Sequence, residues 1–163
     1  MIREMRRKNQ QLPQEVSQEI LKKGSFGVLA VHGDDGYPYA VPLSYVYFDG
    51  KIYFHSAKEG HKVDAVRHYE KVSFCVVEKD EISEAELTTF YRSVIVFGKA
   101  HIIEDAQEKR TAIEALTMKY CPGNMAGGLE AIKKEWDRFC MIVLEPDLIT
   151  GKEAVEFMRQ RKG

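Results

Sequence analysis

The apolar positions of this chain change period several times, and each change predicts a different element. Val16, Ile20 and Leu21 follow Pro13 at helical spacing and stop at Gly24, which predicts a short amphipathic helix. The apolar runs that come next are short or alternate with polar residues, which is typical of buried or half-buried strands. These runs predict six strands, at residues 26–31, 37–48, 51–55, 72–77, 88–103 and 139–144.

Glycine, aspartate and proline punctuate the strands. The glycines and aspartates at residues 33–36 predict a tight loop, and the Asp49-Gly50 pair predicts a two-residue hairpin turn. Pro38 and Pro42 fall inside the second strand, and proline, which has no N–H to donate, is confined to sheet edges, strand starts and bulges. Gly98 predicts a bulge or bend in the long fifth strand.

Helical spacing returns at four later places. These helices are predicted from Gly60 onward, at residues 106–120 and 129–136, and at residues 154–160, where Thr150 would cap the terminal helix. The helices cluster at the start, middle and end of the chain and do not alternate strictly with the strands. This arrangement favours one mainly β domain over residues 1–163, a six-stranded antiparallel barrel with helical additions.

Composition and charge exclude several classes of protein. The 163 residues are 44% hydrophobic, and 24 Lys and Arg balance 25 Asp and Glu to a net charge of −1, so we expect neither a nucleic-acid nor a membrane partner. The basic first residues precede no apolar segment of signal-peptide length, and the 3 cysteines show no CxxC spacing. We therefore expect a cytoplasmic protein without a structural disulfide. The histidine and cysteine spacings predict no metal site.

The segment from His55 to Lys62 combines residue types that suit a phosphate group. It ends a strand and opens a helix, where backbone N–H groups carry partial positive charge. The Ser56 hydroxyl can donate a hydrogen bond, and the Lys62 ammonium can neutralise a dianion. A solvated strand-to-helix turn with a surface lysine explains the same residues, because Ser, Gly and Lys are common in loops. The residues alone leave both interpretations open.

Two strand segments are further candidates. Residues 37–45 are rich in tyrosine and proline and could lay a partly unpaired backbone against a planar heterocycle, or they could form an ordinary edge strand. Arg92 and Ser93 add a cation and a hydroxyl near the start of the long strand, where an exposed strand end would also account for them. Trp136 is interpreted as a packing residue.

Together these segments resemble the Nim family of 5-nitroimidazole-resistance proteins, within the pyridoxamine 5′-phosphate oxidase-like superfamily of flavin-binding split barrels. The resemblance runs nearly from end to end of the chain, with the blocks in the same order and at the same spacing. It rests on residues 5–8, 33–42, 49–57, 60–62, 72–77, 92–95, 97–100 and 150–154.

The resemblance implies a homodimeric six-stranded split barrel with one FMN in each of two clefts between the subunits. By similarity, Ser56 and Lys62 would hold the FMN phosphate, His55 would sit beside the cofactor, and the backbone of residues 41–44 would meet the isoalloxazine edge. The full cofactor-binding set implied in this way is Val41, Pro42, Leu43, Ser44, His55, Ser56, Ala57, Lys62, Arg92 and Ser93.

The activity that the resemblance implies is FMN-dependent reduction of a 5-nitroimidazole or a related small molecule, with flavin N5 as the electron donor. His55 would then be the catalytic residue, because an imidazole can relay a proton near neutral pH. A packed histidine that completes a strand is the alternative for His55. At the level of the whole protein, the alternatives are a flavin- or haem-binding redox module without turnover and a pyridoxamine 5′-phosphate oxidase-like enzyme.

Overall fold

A computed structural model describes residues 2–162 of the chain. Seven strands form one antiparallel sheet in the order β2-β1-β5-β6-β7-β4-β3. The strands are β1 (Phe26–His32), β2 (Pro38–Ser44), β3 (Val46–Phe48), β4 (Lys51–Ala57), β5 (Lys71–Ser83), β6 (Thr88–Ile102) and β7 (Phe139–Glu153). The α-helices are α1 (Gln14–Lys23), α2 (His61–His68), α3 (Ala106–Tyr120), α4 (Met125–Glu135) and α5 (Val155–Lys162).

Several local predictions are confirmed. Helix α1 lies between Pro13 and Gly24. Asp49 and Gly50 both have positive φ, 49° and 75°, as a two-residue hairpin turn between β3 and β4 requires. Strand β2, which contains the two prolines, is an edge strand of the sheet. The register of β6 against β7 shifts at Gly98, where the bulge was predicted.

The prediction of six strands is wrong by one, because the apolar run at residues 37–48 is divided at Tyr45 into β2 and β3. These two strands are the opposite edges of the sheet, so a single residue connects the two edges and the sheet must curl. Within residues 2–162, β2 contacts β4 but forms no ladder with it. The ladders therefore do not close into a barrel, although the mainly antiparallel β-sheet with added helices is confirmed.

Tyr45 leaves the ladder because side chains from α3 replace its strand partner. Its N–H donates to the Tyr120 hydroxyl at 3.0 Å, and its carbonyl accepts from Lys119 Nζ at 2.9 Å. Its own hydroxyl is buried and donates to the Leu21 carbonyl in α1 at 2.7 Å. These bonds satisfy backbone groups that would otherwise be buried without partners. Burial lowers the pKa of Lys119 to about 8.

Three further boundaries differ from the prediction. Strand β7 continues from Phe139 to Glu153, so Thr150 lies inside a strand and does not cap α5. The strand was predicted to end at residue 144, but the residues beyond it pair with β6 on both sides of the bulge at Gly98. Helix α4 begins at Met125, where the Asn124 side chain accepts from the Gly127 N–H. Strand β5 runs to Ser83, past the predicted end at residue 77, and forms a long hairpin with β6.

The core lies in two layers. One cluster fills the inside of the curled sheet and includes Leu29, Phe54 and Phe74. The second packs the outer face of β4 and β7 against α3 and α4. On the outer face of β1, β5 and β6, five large apolar side chains remain exposed, which are Phe26, Val28, Val77, Ile95 and Phe97. None of the helices in residues 2–162 is both long and apolar enough to cross a membrane.

The bond from the Tyr45 hydroxyl to Leu21 yields the first test. Tyr45→Phe leaves the carbonyl of Leu21 without that donor, so we expect a loss of about 1–2 kcal/mol in the free energy of unfolding. Tyr47→Phe is the matched control, since Tyr47 is a neighbouring, only partly buried tyrosine. Urea denaturation measures both variants. Equal midpoints for Tyr45→Phe and the wild type would show that the bond does not stabilise the fold.

Candidate functional site

The sequence-predicted segment forms the rim of the curled sheet, where β4 ends and α2 begins. His55, Ser56 and Ala57 close β4 and lie opposite Met141, Cys140 and Phe139 of β7. Gly60 then takes a φ of 126°, a left-handed conformation that favours glycine, and turns the chain into α2. We call the group formed by His55, Ser56, Ala57, Lys62 and Cys140 the rim site.

Ser56 points toward the interior of the sheet. The residue is 3% exposed, and within the described part of the chain its Oγ atom has no hydrogen-bond partner while the Cys140 thiol keeps its proton. The hydroxyl could donate only to a Cys140 thiolate, and burial raises the pKa of that thiol. Cys140 lies opposite Ser56, and the Cys140 thiol donates to the Ala57 carbonyl at 3.3 Å. A buried hydroxyl without a partner is costly, so a hydrogen-bonding group that reached Ser56 would remove that cost.

The first turn of α2 is open to an anion. Gly60 occupies the cap position and no side chain accepts from the first N–H groups of this helix. Uncapped N–H groups and the helix dipole favour negative charge at this end. The partly buried Lys62 stands in the same turn. The combination of a buried hydroxyl, an open helix start and a lysine fits a phosphate group.

His55 lies on the opposite face of β4 from Ser56. Its ring centroid is 5.0 Å from that of Phe139. Burial, and then the positive charges of Lys62 and Lys109, lower the pKa of His55. The imidazole is therefore neutral at pH 7, with one ring nitrogen able to donate and the other able to accept a hydrogen bond.

The sequence reasoning missed Lys109, which belongs to α3. Its ammonium donates to the carbonyls of Trp136 at 2.7 Å and Phe139 at 2.9 Å. It also lies 4.2 Å and 4.1 Å from the centroids of their two rings. A lysine at a helical position far from the predicted segment carries no local signal of this role. Trp136 packs edge-on against Phe139, as the interpretation of a packing residue requires.

Strand β2, which carries the predicted residues 41–44, contacts both β4 and α2. Strand β2 ends at Ser44, and β3 begins two residues later at Val46. Val46 pairs with Tyr53 of β4, which lies two residues before His55. Val41 and Leu43 pack on the core from inside, whereas Pro42 and Ser44 are exposed. The start of β2 meets α2 through Tyr39 and His61, whose stacked rings are 4.1 Å apart. Strands β2 and β4 therefore flank an unpaired gap in the sheet.

Arg92 and Ser93 do not join this group within one chain. They lie near the other end of β6. His55 pairs with Met141 of β7, and the β6 residues that pair with that part of β7 are about 30 Å along the strand from Arg92, at roughly 3.3 Å per residue. Arg92 is also engaged there, 3.4 Å from the carboxylate of Glu78 and 3.5 Å from that of the buried Glu153. Ser93 shares the outer sheet face with Ile95.

The protein is thus a mainly antiparallel β-sheet whose rim combines one lysine, a buried hydroxyl and an open helix start, a set that suits a phosphate group. The chain belongs to the pyridoxamine 5′-phosphate oxidase family, whose model matches residues 13–153. No curated protein matches it.

Solved structures share this fold. One is a candidate 5-nitroimidazole antibiotic resistance protein from Bacteroides thetaiotaomicron, with a TM-score of 0.71 and 20% identity over 88% of this chain and 86% of that chain. A second is a FAD-binding protein from Mesorhizobium loti, with a TM-score of 0.62 and 25% identity over 88% and 96%. A third is a FAD- and haem-binding protein from Mycobacterium smegmatis, with a TM-score of 0.75 and 20% identity over 94% and 80%.

The environment of His55 gives a direct titration test. We expect its ring to titrate below the ordinary value of 6.5, and Lys62→Met to raise that pKa because one of the two nearby charges is removed. Because the pKa of His55 is lower in the folded chain than in the unfolded chain, protonation favours unfolding. The contribution of the neutral His55 to the free energy of unfolding is therefore fully present above pH 6.5, and it is lost as the pH falls through the lower pKa of the folded chain. Ring NMR shifts against pH measure the value.

Lys99→Met is the control, because Lys99 pairs with Glu70 elsewhere on the surface. A His55 midpoint at or above 6.5 in the wild type would contradict the assignment.

Proposed function

We propose that this chain is a flavin-dependent oxidoreductase that binds FMN at the rim site and reduces 5-nitroimidazoles or related small molecules. The observation that carries the proposal is the buried, unpartnered Ser56 hydroxyl beside the uncapped start of α2 and Lys62. Membership of the pyridoxamine 5′-phosphate oxidase family supports the flavin, and so do structural neighbours described as FAD-binding. The neighbour from Bacteroides thetaiotaomicron supports the substrate class.

The residues of the chain supply binding and orientation. The Ser56 hydroxyl, the open N–H groups of α2 and the Lys62 ammonium would hold the phosphate through charge-assisted hydrogen bonds. The unpaired edge of β2 at residues 41–44 offers backbone groups to the edge of a planar ring. When bound, the flavin supplies the electrons from N5.

His55 would handle the protons. Reduction of a nitro group to an amine consumes protons, and a neutral imidazole accepts one at one ring nitrogen and releases one from the other. The low pKa of His55, caused by burial and by the lysines, keeps it in the form that can do both. This role requires the substrate to reach the end of β4 on its outer face, where Phe139 covers one part of the His55 ring and another part remains exposed.

A second copy of the chain is proposed as the partner. Phe26 and Val77 are 62% and 59% exposed, and in the ladder Val28 lies beside Cys75, which lies beside Ile95. A contiguous apolar face of this kind is typical of an interface between subunits. Ser93 lies on the same face, so a homodimer would let one cofactor meet Ser93 from one chain and the rim site of the other.

The cofactor is tested on purified protein. We expect it to be yellow and to bind FMN about one to one with the chain. Lys62→Ala should weaken FMN binding by about 1.5–3 kcal/mol, roughly tenfold to a hundredfold, because the phosphate loses its cation. Lys134→Ala, an exposed lysine on α4, is the matched control. Flavin fluorescence quenching measures the affinities.

Two results would count against the cofactor assignment. Equal FMN affinity in Lys62→Ala and wild type would return Lys62 to the role of a solvated loop lysine. Colourless protein that takes up haem instead of FMN would favour the haem-binding module, for which the neighbour from Mycobacterium smegmatis is a precedent.

Turnover is tested separately, under anaerobic conditions. We expect chemically reduced, FMN-loaded protein, in at least about threefold excess over a 5-nitroimidazole, to convert it to its amine, because each reduced flavin supplies two of the six electrons that this reduction consumes. We expect His55→Asn to retain FMN but to slow this reaction and change its pH dependence. Product analysis and the return of oxidised flavin absorbance measure the reaction. If nitroaromatics, quinones and pyridoxamine phosphate all remain unchanged, the chain is a flavin-binding module without turnover.

A further inference from the structure

A second cavity adjoins the rim site. It has a volume of about 310 Å³ and lies between α2, α3 and the ends of β4 and β7. Three cations from three separate elements line it, which are Lys58 after β4, Arg67 in α2 and Lys109 in α3. Cys140 forms part of its wall, and Ser56 of the rim site lies opposite Cys140 in the ladder. The cavity therefore shares Cys140 with the rim site, but its three cations are different from Lys62.

The Lys109 ammonium is held in a fixed position in the wall of this cavity. Two backbone carbonyls and the faces of two aromatic rings fix the ammonium, so the long side chain has little rotamer freedom left to lose on binding a ligand. One of its three N–H donors is not used by those carbonyls. Within the described residues, no carboxylate lies within 4.0 Å of this ammonium.

The other two cations are only lightly engaged. Arg67 lies 3.6 Å from Asp64, and its second nitrogen donates to the Lys58 carbonyl at 3.5 Å. In the part of the chain that the structure describes, the Lys58 ammonium has no carboxylate within 4.0 Å either. Burial, and then the charge of Lys58, lower the pKa of Lys109, which shows that these like charges repel each other across the cavity.

Acidic residues cancel only part of this charge, since Asp137 acts against Lys58 and partly offsets the lowering of the pKa of Lys109. Glu104 and Asp137 also line the cavity, but neither forms an ion pair with the three cations. Among the lining residues, three cations face two carboxylates, and Asp64, which does not line the cavity, pairs with Arg67. Lys58 and Lys109 therefore remain, within the described residues, the cations without an ion pair, in a pocket that is apolar on the Trp136 and Phe139 side. An anion with several acceptor oxygens would relieve the repulsion and use the free donors.

We propose that this cavity binds a second phosphate group, separate from the one assigned to Ser56 and Lys62. That phosphate comes either from a dinucleotide flavin, whose pyrophosphate would extend from the rim site, or from a phosphorylated small molecule that binds beside the flavin. The first source rests on the proposed flavin function, whereas the phosphate site itself does not.

Trp136 supplies the readout. It is the single tryptophan of the chain and it lines the cavity, so its fluorescence reports on occupancy directly. We expect inorganic pyrophosphate to change the Trp136 emission of flavin-free protein in a saturable way. Lys109→Met should weaken this binding about tenfold or more, because the fixed cation is lost. Lys134→Met, on the exposed side of α4, should leave it unchanged.

A comparison of FMN and FAD affinities shows whether the second phosphate belongs to the cofactor or to a substrate. If wild-type protein binds FAD about tenfold more tightly than FMN, and Lys109→Met removes that difference, the second phosphate belongs to the cofactor. If FMN and FAD bind equally and pyrophosphate still changes Trp136 emission in FMN-loaded protein, the phosphate belongs to a substrate. Arg67→Gln repeats the test from α2, in case Lys109→Met fails to fold.

The inference is overturned if pyrophosphate leaves Trp136 emission unchanged, or if Lys109→Met and Arg67→Gln both bind it as the wild type does. Failure of the proposed function looks different, because neither flavin would then bind while the pyrophosphate response persists.

Discussion

The structure depends on one residue that cannot pair with a neighbouring strand. The backbone of Tyr45 is bound by Lys119 and Tyr120, residues that lie 74 and 75 positions later in the chain. Because these side chains satisfy the N–H and carbonyl, the strand can end at Ser44 and restart at Val46 without burying bare polar groups. Strand β2 then pairs with β1 and strand β3 with β4, which leaves β2 and β4 in contact but, among the residues described, without a ladder between them.

The local features of the fold could be predicted from sequence because they are encoded locally. Asp49-Gly50 requires positive φ at both positions, and Pro42 requires an edge strand. The break at Tyr45 has no local signal, since the apolar alternation continues through it and its cause lies in α3. Similarly, the apolar run that predicts the last strand ends at residue 144, and the continuation of β7 past Pro146 depends on the bulge that Gly98 of β6 supplies.

In the candidate site, too, residues with a local sequence signal could be predicted, whereas residues brought in by distant segments could not. His55, Ser56 and Lys62 could be identified because one continuous segment carries both the end of a strand and the start of a helix. Lys109 and Trp136 reach the rim only through the packing of α3 and α4 on β7, which no pattern near His55 reveals. Within one chain, strand pairing keeps Arg92 and Ser93 far from His55, and none of the described helices carries them toward it.

Charge at the rim links binding to the state of His55. The lysines that attract an anion are the same ones whose charge disfavours the imidazolium form of His55. An anion bound between them would offset part of their field, and the pKa of His55 would rise toward its ordinary value. If the proposed anion binds at the rim, its charge would therefore act on the proton affinity of the imidazole directly, through space.

The pairing of β4 with β7 also determines when this rim comes into existence. Hairpins such as β1–β2 and β5–β6 form between segments close in the chain, whereas Ala57 and Cys140 are 83 residues apart. Contacts between distant segments are slow to form, because the loop-closure entropy is lost before they stabilise the chain. Partly folded chains therefore lack the walls of the rim, and a ligand there can stabilise only molecules that have completed the sheet.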